Sequence, residues 1–117
     1  MSGAARRPWP TELRLSKDKT HLSVSYDSGE TFVLPAEYLR VESPSAEVQG
    51  HGSAQKQIVI GKERVAIQAL EPVGNYAVRI RFDDGHDTGL FSWDYLHELG
   101  CEQRVKWATY LKAANRH

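Results

Sequence analysis

Apolar and polar residues alternate most clearly over residues 76–82. Tyr76, Val78, Ile80 and Phe82 share one parity, and Ala77, Arg79 and Arg81 take the other. A period of two marks a strand with one buried face, so the first set is expected inside and the arginines outside. Asp83-Asp84-Gly85-His86 then interrupts the pattern. A glycine beside an aspartate supplies the positive φ that a tight hairpin turn requires. After a returning strand, Trp93, Leu96 and Leu99 recur at helical spacing behind Ser92, a suitable N-cap. The region reads as strand, turn, strand, helix, with a histidine in the turn.

The rest of the chain extends this scheme. Residues 1–10 read as a tail stiffened by Pro8 and Pro10. Residues 11–15 form a strand with Leu13 and Leu15 on one side. Residues 21–26 form the next, with Leu22, Val24 and Tyr26 inward. Asp27-Ser28-Gly29 turns the chain into residues 30–34, where Phe32 and Leu34 point inward. Pro35 suits the start of a short helix over 36–41. Residues 42–57 are rich in serine, glycine and small polar side chains and read as a loop. Its length is unusual for a connection in a compact domain, which favours a functional role. Ile58-Val59-Ile60 is a strand candidate. Residues 65–72 alternate, with Val65, Ile67 and Ala69 on one face and Leu70 on the other. Gly100 is expected to kink the last helix or divide it from a segment over 101–114, whose inner face is read as Val105, Tyr110 and Leu111.

The two halves match. Tyr26-Asp27-Ser28-Gly29-Glu30 aligns with Phe82-Asp83-Asp84-Gly85-His86, and Glu37-Tyr38-Leu39 aligns with Asp94-Tyr95-Leu96. An internal repeat changes the fold expectation. The expectation is an α+β fold: a small, mainly antiparallel β-sheet domain built from two hairpin–helix units, with a C-terminal helix. Its parts are a tail over 1–10, the domain over 11–100 and a helical extension over 101–117.

Composition narrows the function classes. At 117 residues the chain has room for one ordinary domain. Lysine plus arginine and aspartate plus glutamate each number 15, so net charge is zero. That balance disfavours nucleic-acid binding, for which Arg79 and Arg81, with Arg14, Lys56 and Lys62, are the candidate residues. The single cysteine, Cys101, allows no intrachain disulfide and fits a reducing, cytoplasmic location. No apolar run is long enough to span a bilayer, and the first ten residues lack the apolar core of a secretory signal. No membrane partner is expected.

Catalytic signals are missing. The sequence has no P-loop, no dinucleotide glycine fingerprint and no Gly-x-Ser-x-Gly elbow. Asp83, Asp84 and Asp87 are explained by the turn they occupy. Cys101 is read as an inert buried thiol, and His97 as a packed or surface histidine. No catalytic residue is assigned. Nitrogen and oxygen donors at His86, His51, Glu42, Glu47 and Asp84 suit zinc or iron. The simpler reading makes His86 a turn cap and His51 part of a Gly-His-Gly loop.

The segments LSVSYDSGETFVLPAEYLRVESPSAEVQGHG and VRIRFDDGHDTGLFSWDYLHELG together resemble the gamma-butyrobetaine hydroxylase-like N-terminal domain family, over roughly residues 11–100. The resemblance rests on LPAEYLR, the SPSAEV-x-GHG loop and DDGH-x3-F-x-W-x-YL in combination. In hydroxylases of that family the domain precedes an iron- and 2-oxoglutarate-dependent catalytic domain and resembles a zinc module. Its zinc ligands are a cysteine cluster and the histidine of the DGH turn. Carried onto this chain, those positions fall on Ser43, Ser45, Val48 and His86. Only the histidine is a zinc ligand of the family's type, so the closed thiolate site is not expected here. The family's domain also occurs fused to P-loop ATPases that resemble iron–sulfur carriers. The resemblance therefore implies a non-catalytic binding or adaptor domain, with an iron–sulfur carrier or an oxygenase as partner. The alternatives are a metal-binding module using His86 and His51, and an accessory domain of a 2-oxoglutarate-dependent oxygenase. The expected binding surface is Ser43, Ser45, Glu47, His51, Asp84 and His86.

Overall fold

A computed structural model describes residues 9–44, 61–87 and 89–114. Strands β1 (Pro10–Leu15), β2 (His21–Tyr26) and β3 (Thr31–Pro35) lead into helix α1 (Ala36–Val41). Strands β4 (Ile67–Val73), β5 (Ala77–Phe82) and β6 (Gly89–Ser92) lead into α2 (Trp93–Cys101), and α3 (Gln103–Ala113) follows. The strands form two antiparallel three-stranded sheets, β1-β2-β3 and β4-β5-β6. The fold is α+β as expected, with one sheet per unit. The expected strand at Ile58-Val59-Ile60 lies outside the described residues.

The duplication holds at the level of individual hydrogen bonds. Tyr26 N donates to Glu30 O and Gly29 N to Tyr26 O. Likewise Phe82 N donates to His86 O and Gly85 N to Phe82 O. Gly29 and Gly85 carry φ of 95° and 94°, which an L side chain tolerates poorly. Asp27 N donates to Trp9 O while Asp27 Oδ1 accepts from Trp9 N. Asp83 repeats both bonds with Ala66. Each first strand slips register near its start, between Pro10 and Glu12 and between Ile67 and Ala69. Pro10, Pro35 and Pro72 all stand on edge strands, where a missing N–H breaks no central ladder.

Both units face one core. Leu22, Val24, Tyr26, Leu34, Tyr38 and Leu39 meet Val65, Ile67, Val78, Ile80, Phe82, Phe91, Leu96 and Leu99. Helix α3 is pinned by Tyr110 Oη donating to Glu37 Oε2 at 2.8 Å and by Trp107 standing edge-on to Tyr38. Among the described residues, no helix is long and apolar enough to cross a membrane.

Four expectations are corrected. Tyr76 is 54% exposed and precedes β5, which begins at the buried Ala77. Leu70 packs against the core, because the register shift between Ile67 and Ala69 re-aims the residues after it. Val105 is 69% exposed. It lies about 140° around the helix from Tyr110, at ~100° per residue, so both cannot face the core. The expected division into two helices is present but falls at Glu102, because α2 runs through Gly100 to Cys101. Gly100 is required for a different reason: a Cβ there would overlap the Phe32 ring.

Candidate functional site

The two units are joined by reciprocal contacts. Tyr38 of α1 donates its hydroxyl to Leu99 O at the end of α2, at 2.7 Å. Tyr95 of α2 donates to Glu42 O at the end of α1. Each helix also reaches the turn of the opposite unit. Arg40 of α1 binds Asp84 in the β5–β6 connection, and His97 of α2 binds Glu30 beside the β2–β3 turn. Both turns thereby become crossing points between the halves.

The first crossing point holds the expected site residues. Ser43 follows α1 and is fully buried, contrary to its expected place on the binding surface, because it packs beneath the His86 turn. Its Oγ lies 3.0 Å from His86 Nε2. The His86 ring also packs against Phe82, and its backbone N–H donates to Asp84 Oδ1 at 3.1 Å. Asp84 Oδ2 receives Arg40 Nε at 2.9 Å and Lys62 Nζ at 2.7 Å. Partial burial raises the Asp84 pKa, but the bonds from Lys62, the His86 amide and Arg40 outweigh it and hold the carboxyl at about 2. Asp84 is therefore an anion already engaged by two cations.

The folded chain thus brings Ser43, Asp84 and His86 together. Ser45, Glu47 and His51 lie outside the described residues, as does Val48. Glu42 is buried, with its carbonyl taken by Tyr95. Ser43 and His86 are the two described positions onto which the resemblance carries a zinc-ligand set. The donors do not fit that zinc: a serine hydroxyl stands where a closed structural site supplies a thiolate. The described candidate nucleic-acid residues are all paired with carboxylates. Arg79 and Arg81 both lean on Glu71, Arg14 pairs with Glu12, and Lys62 stands at Asp84. Lys56 lies outside the described residues.

The second crossing point escapes the sequence reading. Cys101 is exposed, contrary to its expected burial, and its Sγ lies 3.7 Å from His97 Nδ1. His97 Nε2 lies 2.7 Å from Glu30 Oε1. Slight desolvation and the carboxylates of Glu30 and Glu102 push the thiol pKa up. An activated nucleophilic cysteine needs the opposite shift. The overlooked signal is His97-x3-Cys101 on a helix, with Glu30 occupying in its own turn the place of His86.

Comparison with known proteins supplies the relatives. The family described as gamma-butyrobetaine hydroxylase-like, N-terminal, matches residues 13–97. A 1.93 Å crystal structure from Acidithiobacillus ferrooxidans ATCC 23270, of a protein with unknown function in the DUF971 family, is 42% identical. That match covers 80% of this chain and 93% of the other, with a TM-score of 0.67. Two solution NMR structures are 45% and 46% identical, each with a TM-score of 0.78. They cover 92% and 100% of this chain, and 85% and 89% of their own. No curated protein matches the chain.

Proposed function

Because this chain belongs to the gamma-butyrobetaine hydroxylase-like N-terminal family, we propose that it is a non-catalytic binding domain that docks a protein partner beside the His86 turn. The observation that carries this reading is the mooring of residues 45–60. Just before that segment, Ser43 is bonded to His86; just after it, Lys62 is paired with Asp84. Both ends of a long segment are thus tied to one turn, which is itself clamped by Arg40. Binding residues are characteristically carried by connecting segments whose ends are held on a rigid base. The docking surface comprises Asp84 and His86 together with Ser45, Glu47 and His51 of the segment, and the buried Ser43 hydroxyl holds the His86 ring from beneath. The partner class proposed, on the analogy of the family's domain associations, is an iron–sulfur carrier or an iron-dependent oxygenase in the cytoplasm.

Affinity capture from the native cell tests this. The full-length chain should recover one partner of that class. His86→Ala and His51→Ala should lose it, while Val105→Ser on the exposed side of α3 should keep it. Capture unchanged by both histidine substitutions would refute the surface. A partner unrelated to iron or iron–sulfur proteins would refute the assigned class.

A further inference from the structure

The second crossing point carries chemistry that the docking surface does not use. His97 and Cys101 stand four residues apart on α2, so both project from one side of its last turn. Glu30 meets them from the β2–β3 connection. One ligand atom from each of Glu30, His97 and Cys101 can be chosen so that all lie within 4.8 Å of one another. Glu30 and Cys101 are exposed and His97 is half-buried, so an ion can reach the cluster.

The side chains are also held in place. The His97 ring meets Tyr26 edge-on at 5.0 Å and Phe32 at 5.6 Å, which fixes its plane. Glu30 Oε1 accepts from Ser28 Oγ at 2.9 Å as well as facing His97 Nε2 at 2.7 Å. A pre-oriented imidazole and carboxylate beside a thiol form a mixed nitrogen, oxygen and sulfur donor set.

The geometry points to a zinc(II) site formed by Glu30, His97 and Cys101, with its fourth position open to water or to a ligand from a partner. In a tetrahedral zinc site, thiolate sulfur and imidazole nitrogen stand about 3.6 Å apart, and nitrogen and carboxylate oxygen about 3.4 Å. Cys101 Sγ lies 3.7 Å from His97 Nδ1 and 4.0 Å from Nε2, so on binding the thiolate swings from beside the ring toward its Nε2 edge. The Glu30–His97 contact of 2.7 Å opens as the ion replaces the shared proton. The thiol proton leaves to solvent, and the imidazole proton moves from Nε2 to Nδ1. The cation sits at the C-terminal end of α2, where the helix dipole favours positive charge. Three protein ligands and one open position make this an exchangeable site rather than a closed structural one.

Cobalt(II) titration of the reduced, chelator-treated full-length chain tests the assignment. Cys101 is the only cysteine, so thiolate-to-cobalt charge transfer reports this site alone. The expected result is one cobalt per chain, with the charge-transfer band and tetrahedral visible bands, all displaced by zinc. Cys101→Ser should abolish the charge-transfer band. Glu30→Gln and His97→Gln should each weaken cobalt binding by about tenfold or more. His86→Ala should change neither band nor affinity, which separates this site from the docking surface. Absence of the band, two chains per cobalt, or affinity unchanged in both Glu30→Gln and His97→Gln would overturn the site. Because Glu30 is exposed, Glu30→Gln stays informative even if His97→Gln disturbs the Tyr26 and Phe32 packing.

Discussion

Replacing Asp84 with asparagine keeps the side chain's shape and removes its charge. The carboxyl is ordinarily near 3.8 and is held at about 2 in the folded chain. At ~1.4 kcal/mol per pH unit, that difference corresponds to about 2 kcal/mol of folding free energy. The Asp84 side chain is 19% exposed but stands on an exposed turn, so solvent screening reduces this to about 1–2 kcal/mol. The substitution also takes this carboxylate from Arg40, whose side chain is 4% exposed. Asp84→Asn should therefore lower stability by about 1–2 kcal/mol near neutral pH. The dependence on pH follows from the direction of the shift. A carboxyl depressed by folding stabilises fully above its unfolded value and loses that contribution as pH falls through its folded value. Urea denaturation of both proteins in steps from neutral pH downward should show curves far apart at pH 7, closing below 3.8 and meeting near 2. A neutral-pH gap under about 0.5 kcal/mol, or a gap that persists undiminished in acid, would refute the role given to this carboxylate.

Alanine in place of helical glycine ordinarily stabilises by about 1 kcal/mol, but Gly100→Ala should lose about 1–3 kcal/mol here because its Cβ meets the Phe32 ring. Adding Phe32→Leu should recover part of the loss in thermal melts; a stabilised Gly100→Ala would sink the packing argument. Tyr38→Phe should lower stability by about 1–2 kcal/mol, because the Leu99 carbonyl loses its donor. Tyr95→Phe should act similarly at Glu42. Two neutral tyrosine substitutions in chemical denaturation would show that these bonds do not hold the halves together.

Much of this architecture was legible because it is written locally. Strand β2 spans His21–Tyr26 as the alternation of Leu22, Val24 and Tyr26 requires. Ser92 caps α2 through its side chain, accepting from Tyr95 N. The repeat could be read from its turns, since Asp-x-Gly motifs fix backbone geometry over few residues. What could not be read depends on contacts across the core. Gly100 looked like a helix breaker, yet a ring from β3 dictates it. Leu70 turns inward because of a register shift that alternation conceals. Of the expected site, Ser43, Asp84 and His86 meet, but only the motif in the second unit identified the histidine. The Glu30, His97 and Cys101 cluster needed α2 to cross onto the opposite unit, which one unit's sequence does not announce.

The matched contacts at Gly100 and Gly89 bear on why one chain carries both units. Ser43, just beyond α1, and Gly100, in the last turn of α2, occupy equivalent places in the repeat, as do Phe32 on β3 and Gly89 on β6. Phe32 fills the space above Gly100, while Ser43 fills the space above Gly89. An isologous dimer of first units would set Phe32 against Ser43, where the ring has no room. An isologous dimer of second units would set Gly89 against Gly100 and leave a hole. Neither half is complementary to itself, so each has become an obligate partner for the other, and tethering them in one polypeptide guarantees the unlike pairing.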